Sequence, residues 1–332
     1  MDREVERKII SILKILSKEK EPLGASLISR RLKNLGIELS ERGVRYHLKL
    51  MDERGLTERF GRQGRVITAK GIEELSNALV ADKVGLVISK INTLSFLTDF
   101  DISTRRGKIV LNVSLLPKAQ LKKSFRVMKD VFRKGLCISD LVTAADEGGK
   151  LGEVAVPPGM FGFGTVCSVT ISGVLIKQGI PVEARFGGIL QVEDHLPVRF
   201  TDLITYEGSS LDPLEVFIRG KMTSVREVAK SGSGKLLASF REIPAASLEY
   251  AQEIFRRLSE VGFKGILVVG KPSQPVLEVS VGLDRVGVVV AGGLNPLAAL
   301  SEANIEAENK AMSTLVEFSE LQPFQELFKS LL

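Results

Sequence analysis

The chain has 332 residues, 44% of them hydrophobic, a net charge of +6, two cysteines, two histidines and no tryptophan. That length accommodates two or three domains with a full core. Two cysteines, Cys137 and Cys167, exclude a disulfide framework and point to a reducing, cytoplasmic compartment; two histidines, His47 and His195, exclude a histidine-rich metal site.

No apolar run is long enough to span a bilayer, and no signal peptide opens the chain. Neither a metal nor a resident cofactor is expected. The charge is uneven. Residues 1–83 hold 18 Lys+Arg against 13 Asp+Glu, a net +5; residues 84–332 hold 28 against 27, a net +1. This is the electrostatic footprint expected of a DNA-binding head on a neutral body.

Val5, Ile9, Ile12, Leu13 and Leu16 recur at helical spacing and predict a first helix, broken at Glu21-Pro22. A second runs from Ala25 to Leu35, with Leu27, Ile28 and Leu32 inward. The third spans Ser40–Gly55. Ser40 is a good N-cap, Val44, Leu48 and Met51 form the inner face, and Gly55 ends it. Its other face carries Arg42, Arg45, Tyr46 and Lys49, which with Ser40 at the helix start form a set suited to DNA contact in a major groove; the plain alternative is a solvated basic face. Residues 57–68 predict two short strands around a Gly/Arg/Gln tip, with Arg62 and Arg65 placed for phosphate or minor-groove contact. Three helices and a basic hairpin make a winged helix-turn-helix. A fourth helix, Ala69–Lys83, with Ile72, Leu75 and Leu79 apolar, links head to body.

The body is expected to be internally duplicated. A shift of 127 residues lays Gly107-Lys108 on Gly234-Lys235, Pro117 on Pro244 and Gly135 on Gly262. A shift of 125 lays Glu153-Val154 on Glu278-Val279 and Leu190 on Leu315. The repeat predicts two pseudo-two-fold related lobes, about 84–205 and 211–332. Each should hold an alternating strand (Lys108–Leu115; Lys235–Glu242), a helix, further strands (Ile138–Thr143 and Glu153–Val156; Gly265–Val269 and Val276–Val281), a second helix and a closing strand. The fold class is α+β: a winged helix-turn-helix over 1–83, then an internally duplicated sandwich-like domain over 84–332, its sheet mostly antiparallel.

Strand-to-helix turns are the physical candidates for a ligand, because free N–H groups at a helix start attract carboxylate or phosphate. Cys167 and Ser168 mark one such turn, and Gly292, Gly293 and Asn295 another; ordinary capping is the competing reading. Arg185, Arg199 and Arg241 are candidates for capture of an acid ligand, against solvent or carboxylate pairing. Ser231-Gly232-Ser233-Gly234-Lys235 lacks P-loop spacing and precedes a strand, so it is set aside. No nucleophile–base–acid set stands out, and Cys167 has only His195 as a conceivable partner; the chain is expected not to be an enzyme.

GTVCSVTISGVLIKQGIPVEARFGG, the stretch PVRFTDLITYEGSSLDPLEVFI, then SFREIPAAS, GILVVGKPSQPVLEVSV and VAGGLNPLAAL resemble the regulatory domain of NrpR, the nitrogen-regulatory repressor family of methanogenic archaea and their relatives. SERGVRYHLKLMDERGLTERFGRQGRVIT resembles its winged-helix head. The resemblance implies a repressor that binds an inverted-repeat operator in promoters of nitrogen-assimilation or nitrogen-fixation genes, with 2-oxoglutarate as the releasing effector. It also implies a homodimer or dimer of dimers, in some members with a separate headless partner. The residues leave two alternatives open: a regulator sensing a different metabolite, such as an amino acid, and an enzyme with a DNA-binding head.

Overall fold

A computed structural model describes residues 3–19, 21–34, 36–61, 63–75 and 86–331. The chain divides into two compact units, Met1–Val84 and Gly85–Leu332.

The first unit holds α1 (Arg3–Leu16), α2 (Ala25–Asn34), α3 (Glu41–Glu53), β1 (Thr57–Phe60), β2 (Gly64–Ile67) and α4, helical over 69–75. Ile9, Ile12, Leu13, Ile28, Leu32, Val44, Leu48 and Met51 are fully buried in one cluster. β1 and β2 pair antiparallel, and Leu23 bridges Arg65 as a third strand, which completes a winged helix. Leu27, expected inward, is exposed, because Ile28 and Leu32, four residues apart, form the inner edge of α2; of the apolar residues of α4, Ile72 is exposed and Leu75 buried. The remainder of the predicted linker helix, 76–83, lies outside the described residues.

The second unit runs α5 (Leu86–Leu97), β3 (Lys108–Pro117), α6 (Leu121–Arg133), β4 (Leu141–Ala145), the short pair β5 (Lys150–Leu151) and β6 (Val154–Ala155), β7 (Met160–Val166), α7 (Val169–Lys177), β8 (Glu183–Glu193) and β9 (Leu196–Thr205). It continues with α8 (Pro213–Arg219), α9 (Val225–Ser231), β10 (Gly234–Pro244), α10 (Leu248–Glu260), β11 (Ile266–Val269), β12 (Arg285–Ala291), α11 (Asn295–Glu302), β13 (Glu308–Glu317), β14 (Gln322–Pro323) and α12 (Phe324–Leu331).

Two five-stranded antiparallel sheets result, with orders β13-β3-β7-β4-β14 and β11-β12-β10-β8-β9. Each sheet takes strands from both sequence halves. β8, from the first half, pairs onto β10 and carries β9 on its other edge; β13, from the second, pairs onto β3. A boundary near 205–211 therefore runs through the sheets and not between them. The strand Lys108–Leu115, expected to alternate, is buried on both faces: Ile109, Leu111 and Val113 enter one core cluster and Val110 and Leu116 another. Residues 276–281, expected as a strand, form a turn. Leu277 and Glu278 have φ of 50° and 67°, and only Val276 and Val279 bridge. The helices α6, α8, α9 and α11 cover one cluster, whose stacked Phe132 and Phe324 rings have centroids 4.1 Å apart; α7 and α10 cover the other. Among the described residues no helix is long and apolar enough to cross a membrane.

Candidate functional site

On the head, the Ser40 hydroxyl accepts from Gly43 N–H at 3.2 Å and starts α3, so its role is the cap. Arg42, Arg45, Tyr46 and Lys49 are all exposed on one helix. Tyr46 is 61% exposed. Arg45 pairs with Glu41, and Lys49 lies 3.9 Å from Glu53; both are surface i,i+4 pairs, which a phosphate can displace at small cost. Arg65, expected at the wing, instead turns back on α3: its Nε donates to Asp52 at 2.8 Å, and Asp52 also accepts from Thr57 Oγ1 at 2.7 Å. It fastens the wing to the recognition helix. Arg62 lies outside the described residues. Arg59 and Phe60 are exposed on β1, and Arg59 Nε donates to Gly61 O.

In the regulatory unit, Cys167, Ser168 and Arg241 come together, and Arg185 and Arg199 do not. The three line a cavity of about 20 Å³ with Asn112, Ser172, Tyr206 and Asp212. Arg241 is 2% exposed. Its Nη1 donates to Ser168 O and to Ser172 Oγ, and Nη2 to Ser239 Oγ, each at 2.8 Å. Its Nε is buried without a partner, and no carboxylate pairs with it among the described residues. Burial disfavours the charged guanidinium. A buried cation held by neutral oxygens, with one N–H unused, is matched by an incoming carboxylate.

A β-bulge in the neighbouring strand separates Arg185 from this cluster. Phe240 faces Phe186 and Arg241 faces Ala184, so Arg185 is the extra residue on β8. Arg185 is pushed out to Glu242, at 3.1 Å, and Glu183, at 3.4 Å. Arg199 is exposed on β9 and donates to Gln191 Oε1.

The opposite wall is polar and strained. Asp212 caps α8, accepting from Leu214 N–H at 2.9 Å and Glu215 N–H at 3.2 Å. Burial, then the nearby Glu215, raises its carboxyl to about 6; the caps and Lys90 work against that rise. Met312, in a register break of β13, has φ of 51°, and its N–H donates to Asn112 Oδ1 at 3.1 Å. Strained backbone of this kind concentrates at ligand sites. Gly293 is obligatory, since a Cβ there would lie 2.1 Å from Val166 O. Asn295 is structural: it caps Leu237 N–H and donates to Leu136 O and Leu237 O.

Burial raises the Cys167 thiol to about 11, so it is held protonated. His195 sits in the β8–β9 turn, its N–H bonded to Gly232 O, and does not line the cavity. Sequence reasoning missed Asn112, Ser172, Tyr206, Asp212 and Ser239. Tyr206 and Asp212 fall in YEGSSLDPLE, which spans the expected boundary between the two lobes.

Comparison with known proteins agrees with this architecture. Residues 84–323 match the family model for NrpR regulatory domains NRD1 and 2, and residues 10–75 match the Ribonuclease R winged-helix domain. The chain is 38% identical to Global nitrogen regulator NrpRI of Methanosarcina mazei, over 97% of this chain and 99% of that one. It is 36% identical to Global nitrogen regulator NrpR of Methanocaldococcus jannaschii over 96% of this chain, which spans 55% of that longer protein. The crystal structure of a nitrogen repressor-like protein from Methanococcus jannaschii superposes with a TM-score of 0.61 at 31% identity, covering 72% of this chain and 98% of that one. On the family match and the near full-length relative, the chain belongs to the NrpR family of nitrogen regulators.

Proposed function

We propose that this protein is a DNA-binding repressor of nitrogen-assimilation and nitrogen-fixation genes, released from an inverted-repeat operator by 2-oxoglutarate. The winged helix over 1–83 grips DNA through α3, and the domain over 84–332 senses the effector. The observation that carries the sensing half is Arg241: a buried guanidinium with which no carboxylate pairs among the described residues, with Nε unused. Either carboxylate of 2-oxoglutarate supplies the missing anion. A space of about 20 Å³ holds roughly one water, so effector entry parts the walls formed by Met312, Tyr206 and Arg241. That movement is the link to DNA. The effector favours the parted form, and the operator favours the other. Two chains present two heads to two half-sites, as a homodimer or dimer of dimers, with or without a headless NrpR-type partner.

A regulator and not an enzyme is the reading the chemistry supports. The Cys167 thiol is held protonated and no histidine lines its cavity. A second reading, an amino-acid effector, rests on Asp212, which lines the same cavity and offers a carboxylate to an ammonium group.

The test is fluorescence anisotropy of a labelled promoter fragment carrying the inverted repeat, at two salt concentrations, with 2-oxoglutarate, glutamate or neither. Tight, salt-dependent binding weakened by 2-oxoglutarate supports the proposal. Weakening by glutamate alone moves the effector to the second reading. No sequence-specific binding at either salt rejects the repressor assignment.

A further inference from the structure

The near-neutral balance of residues 84–332 conceals a polarised surface. α6 carries Lys122, Lys123, Arg126, Lys129 and Arg133 against one acid, Asp130. α10 follows β10 as α6 follows β3, yet it carries Arg256 and Arg257 against Glu249, Glu253 and Glu260. The charges of α10 are largely spent on each other, because Arg256 pairs with both Glu253 and Glu260. On α6 only Arg133 is paired, with Asp130 at 2.9 Å. Lys122, Lys123, Arg126 and Lys129 are exposed, and no ion pair holds any of them among the described residues. The same position in the fold thus does not require cations; of these two helices, α6 alone has them in excess.

α9 packs beside α6 and adds Arg226 and Lys230, again unpaired among the described residues. A groove of about 660 Å³ between the two helices is lined by Lys123, Arg126, Arg226 and Lys230. Of the three acids along it, Asp130 is bonded to Arg133. Glu302 is turned onto the start of α9, accepting from Val225 N–H at 2.7 Å and Arg226 N–H at 3.0 Å. Glu227 alone remains against four cations.

We propose that the α6–α9 face of the regulatory unit binds the phosphate backbone of duplex DNA, as a contact additional to the winged helix. This rests on the reading that the chain is a DNA-binding repressor. The chemistry selects the partner. Lys122, Arg126, Lys129 and Arg133 recur at roughly one-turn steps of about 5.4 Å along a rigid helix. Such a row matches a polyanion carrying one charge per ~1.7 Å of axis. No exposed aromatic ring lies on α6 or α9 to stack unpaired bases, which argues against a single strand. The apolar face of α6, with Phe125, Met128, Val131 and Phe132, is buried in the core, so the helix has nothing to insert into a bilayer.

The test compares the full-length chain with the K123Q/R126Q/R226Q/K230Q variant by anisotropy over a salt series. The probes are a long promoter fragment, a minimal operator fragment and vesicles of phosphatidylserine. On the long fragment, the slope of log affinity against log salt should become shallower by about 0.9 for each phosphate that the variant no longer neutralises. The response to 2-oxoglutarate and the melting temperature should stay at wild-type values, and the K123R/R126K/R226K/K230R variant should keep the wild-type slope. An unchanged slope in the Gln variant while wild type binds tightly overturns this proposal and leaves the repressor reading standing. Loss of vesicle binding with DNA binding intact overturns it in favour of a membrane partner. A wild-type chain that binds neither fragment overturns both readings.

Discussion

Arg241 Nη1 donates to Ser172 Oγ across 2.8 Å, and so joins β10 of one sheet to α7, the helix that follows β7 of the other. The bond has a cation at one end, and every hydrogen bond that this cation makes goes to a neutral oxygen. A charge kept in that state costs folding free energy until an anion arrives.

Arg241→Met is therefore expected to fold. Replacing an uncompensated buried charge by an apolar side chain of similar length is neutral or stabilising. Its stability should lie within about 1 kcal/mol of wild type or above it. The effector response should vanish. Wild type gains about 2.7 kcal/mol at a 2-oxoglutarate concentration of 100 Kd, and the variant gains nothing. Thermal unfolding with and without 2-oxoglutarate measures both. A variant that is still stabilised by the effector removes Arg241 from the site.

Asp212 predicts a pH dependence of definite sign. Its folded carboxyl is raised to about 6 by burial, above the unfolded value of about 3.9. Its contribution is fully present below the unfolded value and is lost as pH rises through about 6. Asp212→Asn keeps a capping side chain and removes the charge. The variant should match wild type near pH 4 and exceed it at pH 7.5 by on the order of 3 kcal/mol. Urea unfolding at the two pH values decides; equal stabilities at pH 7.5 would count against a buried charged Asp212.

On the head, Arg45→Ala should weaken specific operator binding by roughly 1–3 kcal/mol. Its ion-pair partner is Glu41 at the surface, so stability should move by less than about 0.5 kcal/mol. Effector affinity, measured by calorimetry, should not move. A parallel loss of effector binding would mean that the substitution damaged the fold.

Arg65 separates a fastening role from a contacting one. Its partly buried pair with Asp52 should show a coupling of about 1 kcal/mol in a double-mutant cycle with Arg65→Ala and Asp52→Ala, read from urea unfolding. Arg59→Ala, on the same hairpin, should leave stability unchanged. Zero coupling would return Arg65 to the DNA-contacting set.

The head was legible because its signals are local. Ser40, Val44, Leu48, Met51 and Gly55 define α3 by capping and period alone, and all behave as their spacing implies. The regulatory unit was legible as an order of elements but not as a pairing. That β8 crosses to β10 and β13 to β3 is set by contacts roughly 40 to 200 residues apart, which no local pattern encodes. Three arginines shared one chemical argument. Arg241 follows Ser239 on β10, but the bulge on β8 sends Arg185 out to Glu183 and Glu242, and a bulge leaves no trace in a hydrophobic period. Asp212 and Tyr206 were hidden for another reason: the Gly-Ser segment reads as the joint between two lobes, whereas Tyr206 is buried and the half-buried Asp212 lines the cavity.

The measurement closest to the central claim is release of a preformed complex. Labelled operator bound by wild type or by Arg241→Met is titrated with 2-oxoglutarate while anisotropy is followed. Release from wild type, together with full retention by a variant that binds the operator equally well, is the expected result. Equal release from both would contradict the claim that a carboxylate docked on Arg241 controls the grip on DNA.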